Sequence, residues 1–118
     1  LRRLLGTPDE SMRVEAASAL ARLGDPAGPA ALERLASSRD PTIRRQVAVA
    51  MGQVPSPEYR ATLIRLLDDR YSIRLAALAS LSKVAGKDSA TEPETGTIEE
   101  RIARWKSGGI PGPRGAGR

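Results

Sequence analysis

The stretch Asp40-Pro41-Thr42-Ile43-Arg44-Arg45-Gln46-Val47-Ala48-Val49-Ala50-Met51-Gly52-Gln53-Val54 decides the fold. Its apolar residues Ile43, Val47, Met51 and Val54 step by four, four and three, which places them on one stripe of a helix with 3.6 residues per turn. The same steps recur on either side, as Met12, Ala16, Leu20, Leu23 and as Ile73, Ala77, Leu81, Val84. Met12-Arg13, Ile43-Arg44 and Ile73-Arg74 are in register, with the arginines 31 and then 30 positions apart. A pattern that returns at a fixed period marks a repeat architecture, in which each unit buries its apolar face by stacking on its neighbours. Ala17, Ala19, Ala48, Ala50 and Ala76 lie between the stripes, and such small side chains let neighbouring helices approach closely.

A shorter pattern precedes each long one. Leu1 and Leu4 match Leu32 and Leu35, then Leu63 and Leu66, with Arg3, Arg34 and Arg65 in one column. The unit is therefore a pair of antiparallel helices, and residues 1–86 hold two and a half to three of them. Thr7-Pro8, Asp25-Pro26, Asp40-Pro41 and Ser56-Pro57 each read as a capping residue followed by proline at the first helical position. Thr7 has Glu10 three residues on, a capping box. Gly24 and Gly86 fall where helices should stop. Helices are expected near 1–5, 8–23, 27–37, 41–54, 57–67 and 70–85. A turn-rich linker over 87–96 then leads to a short amphipathic helix over 97–106, capped by Thr97 with Glu100. Ile98, Ile102 and Trp105 share one face of it, and a Gly-, Pro- and Arg-rich tail over 107–118 should be disordered. The opening in mid-pattern, without Met, reads as a segment of a longer protein.

Composition supports an all-α reading and narrows the chemistry. There is no Phe, and the apolar content is mostly Ala and Leu, which suits helices better than the aromatic and β-branched filling of sheets. Neither Cys nor His is present, so thiol nucleophiles, thiolate metal sites and imidazole bases are excluded together. No catalytic, cofactor-binding or metal-binding residue is assigned, and the chain is not read as an enzyme. The lack of Cys suits a reducing compartment and points to the cytoplasm. No apolar run approaches the ~20 residues that span a bilayer. The net charge of +5 lies wholly in residues 1–87, and a basic surface attracts acidic proteins or nucleic acid.

The columns, with the Asp-x-x-x-Arg openings at Asp9–Arg13 and Asp40–Arg44, resemble HEAT repeats of the short type named after phycobilisome lyases. The resemblance covers residues 1–86 and implies an α-solenoid of stacked helix pairs. It also implies an Asp–Arg ladder between repeats, built from Asp9, Arg13, Asp40, Arg44, Asp69 and Arg74. Asp69 lies one position further from its arginine, which sets the third opening turn apart. In such solenoids the shorter helices are expected to line the concave side, which would set Arg3, Arg34 and Arg65 in a row on the binding face. Trp105 is the remaining candidate contact, unless its helix folds back to cap the last repeat. The function these features imply is a protein-interaction scaffold or adaptor with an acidic protein partner. Two alternatives stand beside it: a lyase-like or chaperone-like subunit that handles a chromophore, and a basic solenoid that binds nucleic acid. With only Tyr59 and Tyr71 to stack on bases in the repeats, nucleic acid is the less favoured partner.

Overall fold

A computed structural model describes residues 1–84 and 97–107 of the chain. The expected linker at 87–96, the helix stop at Gly86 and the tail beyond Ser107 lie outside those residues. All regular structure among the described residues is helical: a 3-10 turn at Arg2–Gly6, α1 at Glu10–Arg22, α2 at Ala27–Leu35 and α3 at Pro41–Gln53. A second 3-10 turn at Pro57–Tyr59 leads into α4 at Arg60–Leu66, followed by α5 at Tyr71–Val84 and α6 at Ile98–Lys106. The long helices α1, α3 and α5 pack directly on one another and form one layer. The first 3-10 turn packs on α1, α2 on α1 and α3, and α4 on α5, which makes the short elements the second layer.

The capping pairs lie at the element starts but do not all cap: Ser56 makes no side-chain cap hydrogen bond, and α2 begins after Pro26, with Asp25 accepting from the Ala27 N–H. Asp40 accepts from the Thr42 N–H, and Pro41 is the first residue of α3, as read. At α1 the cap is Asp9, which accepts from the N–H groups of Ser11 and Met12; Thr7 Oγ instead accepts from the Asp9 N–H. A carboxylate gains from the helix dipole as well as from the hydrogen bond, so it takes the position over a hydroxyl. The capping box expected at Thr7 is thus absent, and the Glu10 carboxylate accepts from the Ser38 hydroxyl at 2.8 Å. At α6 the expected box is present, Thr97 accepting from the Glu100 N–H and Glu100 from the Thr97 N–H. Gly24 ends α1 in the left-handed region at φ 81°, where a side chain would clash with the carbonyl.

The apolar stripes are buried, and those of the second and third repeats belong to one core cluster that Val14 and Ala17 of α1 join. Ala16, Leu20, Ile43, Val47, Met51, Ile73, Ala77 and Leu81 are all buried. Two stripe positions depart from expectation: Met12 and Leu23 are exposed. Leu23 stands past the last turn of α1, and Met12 lies on the outer edge of the first repeat. Ile102 and Trp105 of α6 join the same core, with Ile98 packed at its margin. Burying a large apolar side chain contributes about 1.5–3 kcal/mol, which is what holds a nine-residue helix too short to persist alone in water.

Direct packing of α1, α3 and α5 contrasts with α2 and α4, which make little direct contact. Direct repeat-to-repeat contact among the described residues thus runs chiefly through the long helices, and the column of Arg3, Arg34 and Arg65 lies on the other layer.

Candidate functional site

The ladder residues come together at one junction and separate at another. Arg44 Nε lies 2.7 Å from Asp69 Oδ2, and its Nη2 is 3.0 Å from Oδ1, a two-pronged bond between the second and third repeats. The Arg44 Nη1 also donates to the Ser38 carbonyl at 2.8 Å. This hydrogen bond from Arg44 holds the Asp69 carboxyl below its ordinary pKa, against the opposing effect of its burial. Asp69 thus serves two neighbours, since its backbone carbonyl accepts from the Arg74 guanidinium. At the first junction the equivalent bond from Arg13 to Asp40 is missing. Arg13 reaches Glu10 in its own helix at 3.7 Å, and its Nε is buried with no hydrogen-bond partner among the described residues. Asp9 and Asp40 are helix caps. The ladder therefore has a single rung.

Arg3, Arg34 and Arg65 are exposed, and none of their guanidiniums forms a hydrogen bond or ion pair with another described residue. They stand on the short-element layer. Trp105 is only 1% exposed, so it is not presented to a partner in this arrangement. The Arg60 guanidinium lies over its ring, 5.4 Å from the centroid, and Lys106 pairs with Asp68. Of the two expectations for this helix, the geometry is that of the cap.

A groove of about 650 Å³ opens between α1 and α3. Its floor is mostly apolar, with Val14 and Ala50 buried, the polar Ser18 buried beside them and Val49 exposed. Arg22 and Arg45 are exposed at its rim, and Glu15 stands beside them. Neither arginine is paired with another described residue. Gln46, which accepts from the Ser11 hydroxyl at 3.0 Å, and Gln53 add polar groups along α3. A groove of this make-up can take an apolar side chain on its floor and a carboxylate at its rim.

Sequence reading missed these residues because none belongs to a repeated column of one type. The usable signal lay in the columns that differ. Where the second repeat has Gly52, the first has Ala21; where the third has Ser80, the second has Ala50. A Cβ on Gly52 would lie 2.4 Å from Ser80 Oγ, so only glycine lets α5 seat this closely on α3. The Ser80 hydroxyl then donates to the Ala48 carbonyl at 2.5 Å. Alanine at both matching places denies the α1–α3 junction that approach and that bond, and a groove is left.

The fold is a stack of helix pairs whose period and columns repeat three times. The family model for HEAT repeats matches residues 1–48 and 28–92. The chain belongs to the HEAT-repeat family. A search of curated proteins finds no match to it. HEAT repeats commonly mediate protein–protein contacts, and this coarse function goes with the family. Among the described residues of this HEAT-repeat chain, no helix is long and apolar enough to cross a membrane.

Proposed function

We propose that the chain is a protein-interaction module whose partner presents an acidic segment to the groove between α1 and α3. The observation that carries this reading is the pairing of an apolar floor with two exposed, unpaired arginines, Arg22 and Arg45. Planar guanidinium forks suit carboxylates, and the net charge of +5 steers acidic partners toward the molecule. A protein is favoured over nucleic acid because base stacking needs exposed aromatic rings. Tyr59 and Trp105 are buried, leaving Tyr71 as the exposed ring among the described residues. Within the family, we favour the short, phycobilisome-lyase type on the Asp-x-x-x-Arg openings at Asp9–Arg13 and Asp40–Arg44.

The test is selection of peptides from a random library displayed on phage against the whole chain. Selected peptides should combine acidic residues with an apolar anchor and should weaken with salt, since exposed charges are screened over ~8 Å at physiological ionic strength. Changing Arg22 and Arg45 together to Glu should cost at least about tenfold in Kd, roughly the 1.4 kcal/mol that a tenfold change represents, with Tm unchanged. Changing Arg3, Arg34 and Arg65 to Glu should cost much less. If the groove variant kept full affinity while the Arg3, Arg34, Arg65 variant lost it, the binding face would be the short-element layer.

A further inference from the structure

In the column of Arg13, Arg44 and Arg74, Arg44 alone holds a carboxylate in its fork among the described residues. That carboxylate comes from the following repeat, from Asp69, five residues ahead of Arg74. Five residues ahead of Arg44 stands Arg39, so the second repeat offers Arg13 a cation where the third offers Arg44 an anion. Asp40, one place further on, is exposed and accepts from the Thr42 N–H of its own helix. The difference between the two forks is therefore set by the second repeat, downstream of Arg13. A cavity of about 190 Å³ opens beside Arg13, walled by Leu5, Glu10, Ala31, Arg34 and Leu35. Ala31 and Leu35 are buried and Leu5 is half-buried, so one wall is apolar. Arg13 Nε is buried with no acceptor among the described residues, while its side chain as a whole keeps 32% of its surface exposed. Arg34 is exposed, and its guanidinium is unpaired among the described residues. Glu10 is the one acid of this cavity. Its Oε1 accepts from the Ser38 hydroxyl, and its Oε2 stands 3.7 Å from Arg13, beyond hydrogen-bond reach. Two guanidiniums against one carboxylate leave the cavity positive.

We infer that this cavity binds a small organic acid, its carboxylate on the Arg13 and Arg34 guanidiniums and its short apolar body against Leu5, Ala31 and Leu35. The chain carries its own precedent, since the arginine of the same column one repeat on takes a carboxylate through two nitrogens. A guanidinium fork matches a planar carboxylate in shape as well as charge. The Glu10 carboxylate beside it disfavours a doubly charged ligand such as phosphate. At ~30 Å³ for each water-sized group, the volume holds roughly six non-hydrogen atoms, the size of a four-carbon acid and too little for a run of peptide. The cavity shares no residue with the α1–α3 groove and does not rest on the reading of that groove.

The experiment titrates the isotope-labelled whole chain with sodium butyrate and follows amide chemical shifts, sodium chloride holding the ionic strength constant. Saturable shifts should gather at Glu10, Arg13, Ala31 and Arg34 and spare Arg45 and Val49 at the groove. 1-Butanol, which keeps the body and lacks the carboxylate, should give no saturable shift. Arg13→Gln removes the charged fork and should weaken butyrate at least about tenfold. Arg34→Gln, at an exposed position, should weaken it about threefold, the scale of an exposed ion pair. Changing Arg22 and Arg45 to Glu should leave butyrate affinity unchanged, which separates this site from the groove. The inference is overturned if the shifts stay linear, if they spread over the exposed arginines at large, if butanol matches butyrate, or if either glutamine variant binds as the wild type does. Should Arg13→Gln unfold the chain, Arg34→Gln decides alone.

Discussion

The two junctions between long helices have the same repeat columns and opposite characters. Between α3 and α5, Gly52 admits Ser80, whose hydroxyl bonds to Ala48, and Arg44 clasps Asp69 at the opening of the third repeat. Between α1 and α3, Ala21 and Ala50 stand in the matching places, the Arg13–Asp40 bond is missing, and a groove of about 650 Å³ runs along the seam. Junction two is held shut by specific polar bonds. Junction one is held by Ser11 to Gln46, by Glu10 to Ser38 and by apolar contact, and it leaves unpaired arginines at its rim. A solenoid can thus switch a seam from receptive to structural by one missing methyl and one added hydroxyl, without changing its repeat pattern.

The largest difference should appear at the close approach. Gly52→Val forces side-chain atoms into Ser80 and should destabilise by about 2–3 kcal/mol, within the range for overpacked cores. For a domain of this size that lowers Tm by about 4–8 °C per kcal/mol. Ala21→Gly at the matching place of the first junction should cost only about 1 kcal/mol, the ordinary loss for glycine in a helix. Thermal denaturation showing the two changes equal would erase the contrast between the junctions.

Next in size is the single rung. Arg44→Ala should cost about 1–2 kcal/mol, because it leaves a half-buried carboxylate without its charged donor. Arg13→Ala, whose partner lies in its own helix at 3.7 Å, should cost under about 1 kcal/mol. Chemical denaturation of both variants decides between one rung and a full ladder. The pH dependence sharpens the point. The folded-state pKa of Asp69 is lowered, so its stabilising effect is present above the ordinary aspartate range near ~4 and is lost as pH falls through the lowered value. The wild type should therefore lose more stability than Asp69→Asn on acidification below that range. Equal acid sensitivity of the two would remove the rung from the account. Asp25, held down to about 2 chiefly by its hydrogen bond from Arg2, is common to both proteins.

The smallest effect is a transplant. Ala50→Ser gives the first junction the hydroxyl that Ser80 gives the second, with the Ala17 carbonyl as the matching acceptor. Combined with Ala21→Gly it should show a favourable coupling of about 0.5 kcal/mol in a double-mutant cycle and a narrower groove. Strict additivity would mean that these two positions do not set the seam.

Much of this molecule could be read from its sequence, and the limits have physical causes. The four-four-three stripes marked Leu20, Met51 and Leu81 as core, since helical periodicity fixes which residues share a face. The Asp40-Pro41 cap and the Thr97–Glu100 box were equally plain, since both act within one turn. Thr7 and Asp9 compete for the cap of α1, hydroxyl and carboxylate caps look alike in sequence, and charge settles the competition for Asp9. Properties that depend on two repeats meeting were not visible along one strand of sequence. Arg44 finds its partner 25 residues on, and the groove depends on which side chains face each other across α1 and α3. Arg3, Arg34 and Arg65 do share a column and are exposed, and that column lies on the layer of short elements, whose members make little direct contact.

The central claim is that the first junction is receptive and the second is structural. Titration of the isotope-labelled chain with a library-selected acidic peptide, followed by amide chemical shifts, tests it most directly. The account predicts shifts concentrated at Val14, Ser18, Arg22, Arg45, Val49 and Gln53, with α5 unmoved. Shifts that gathered instead at Arg3, Arg34 and Arg65, or along the α3–α5 seam, would contradict it.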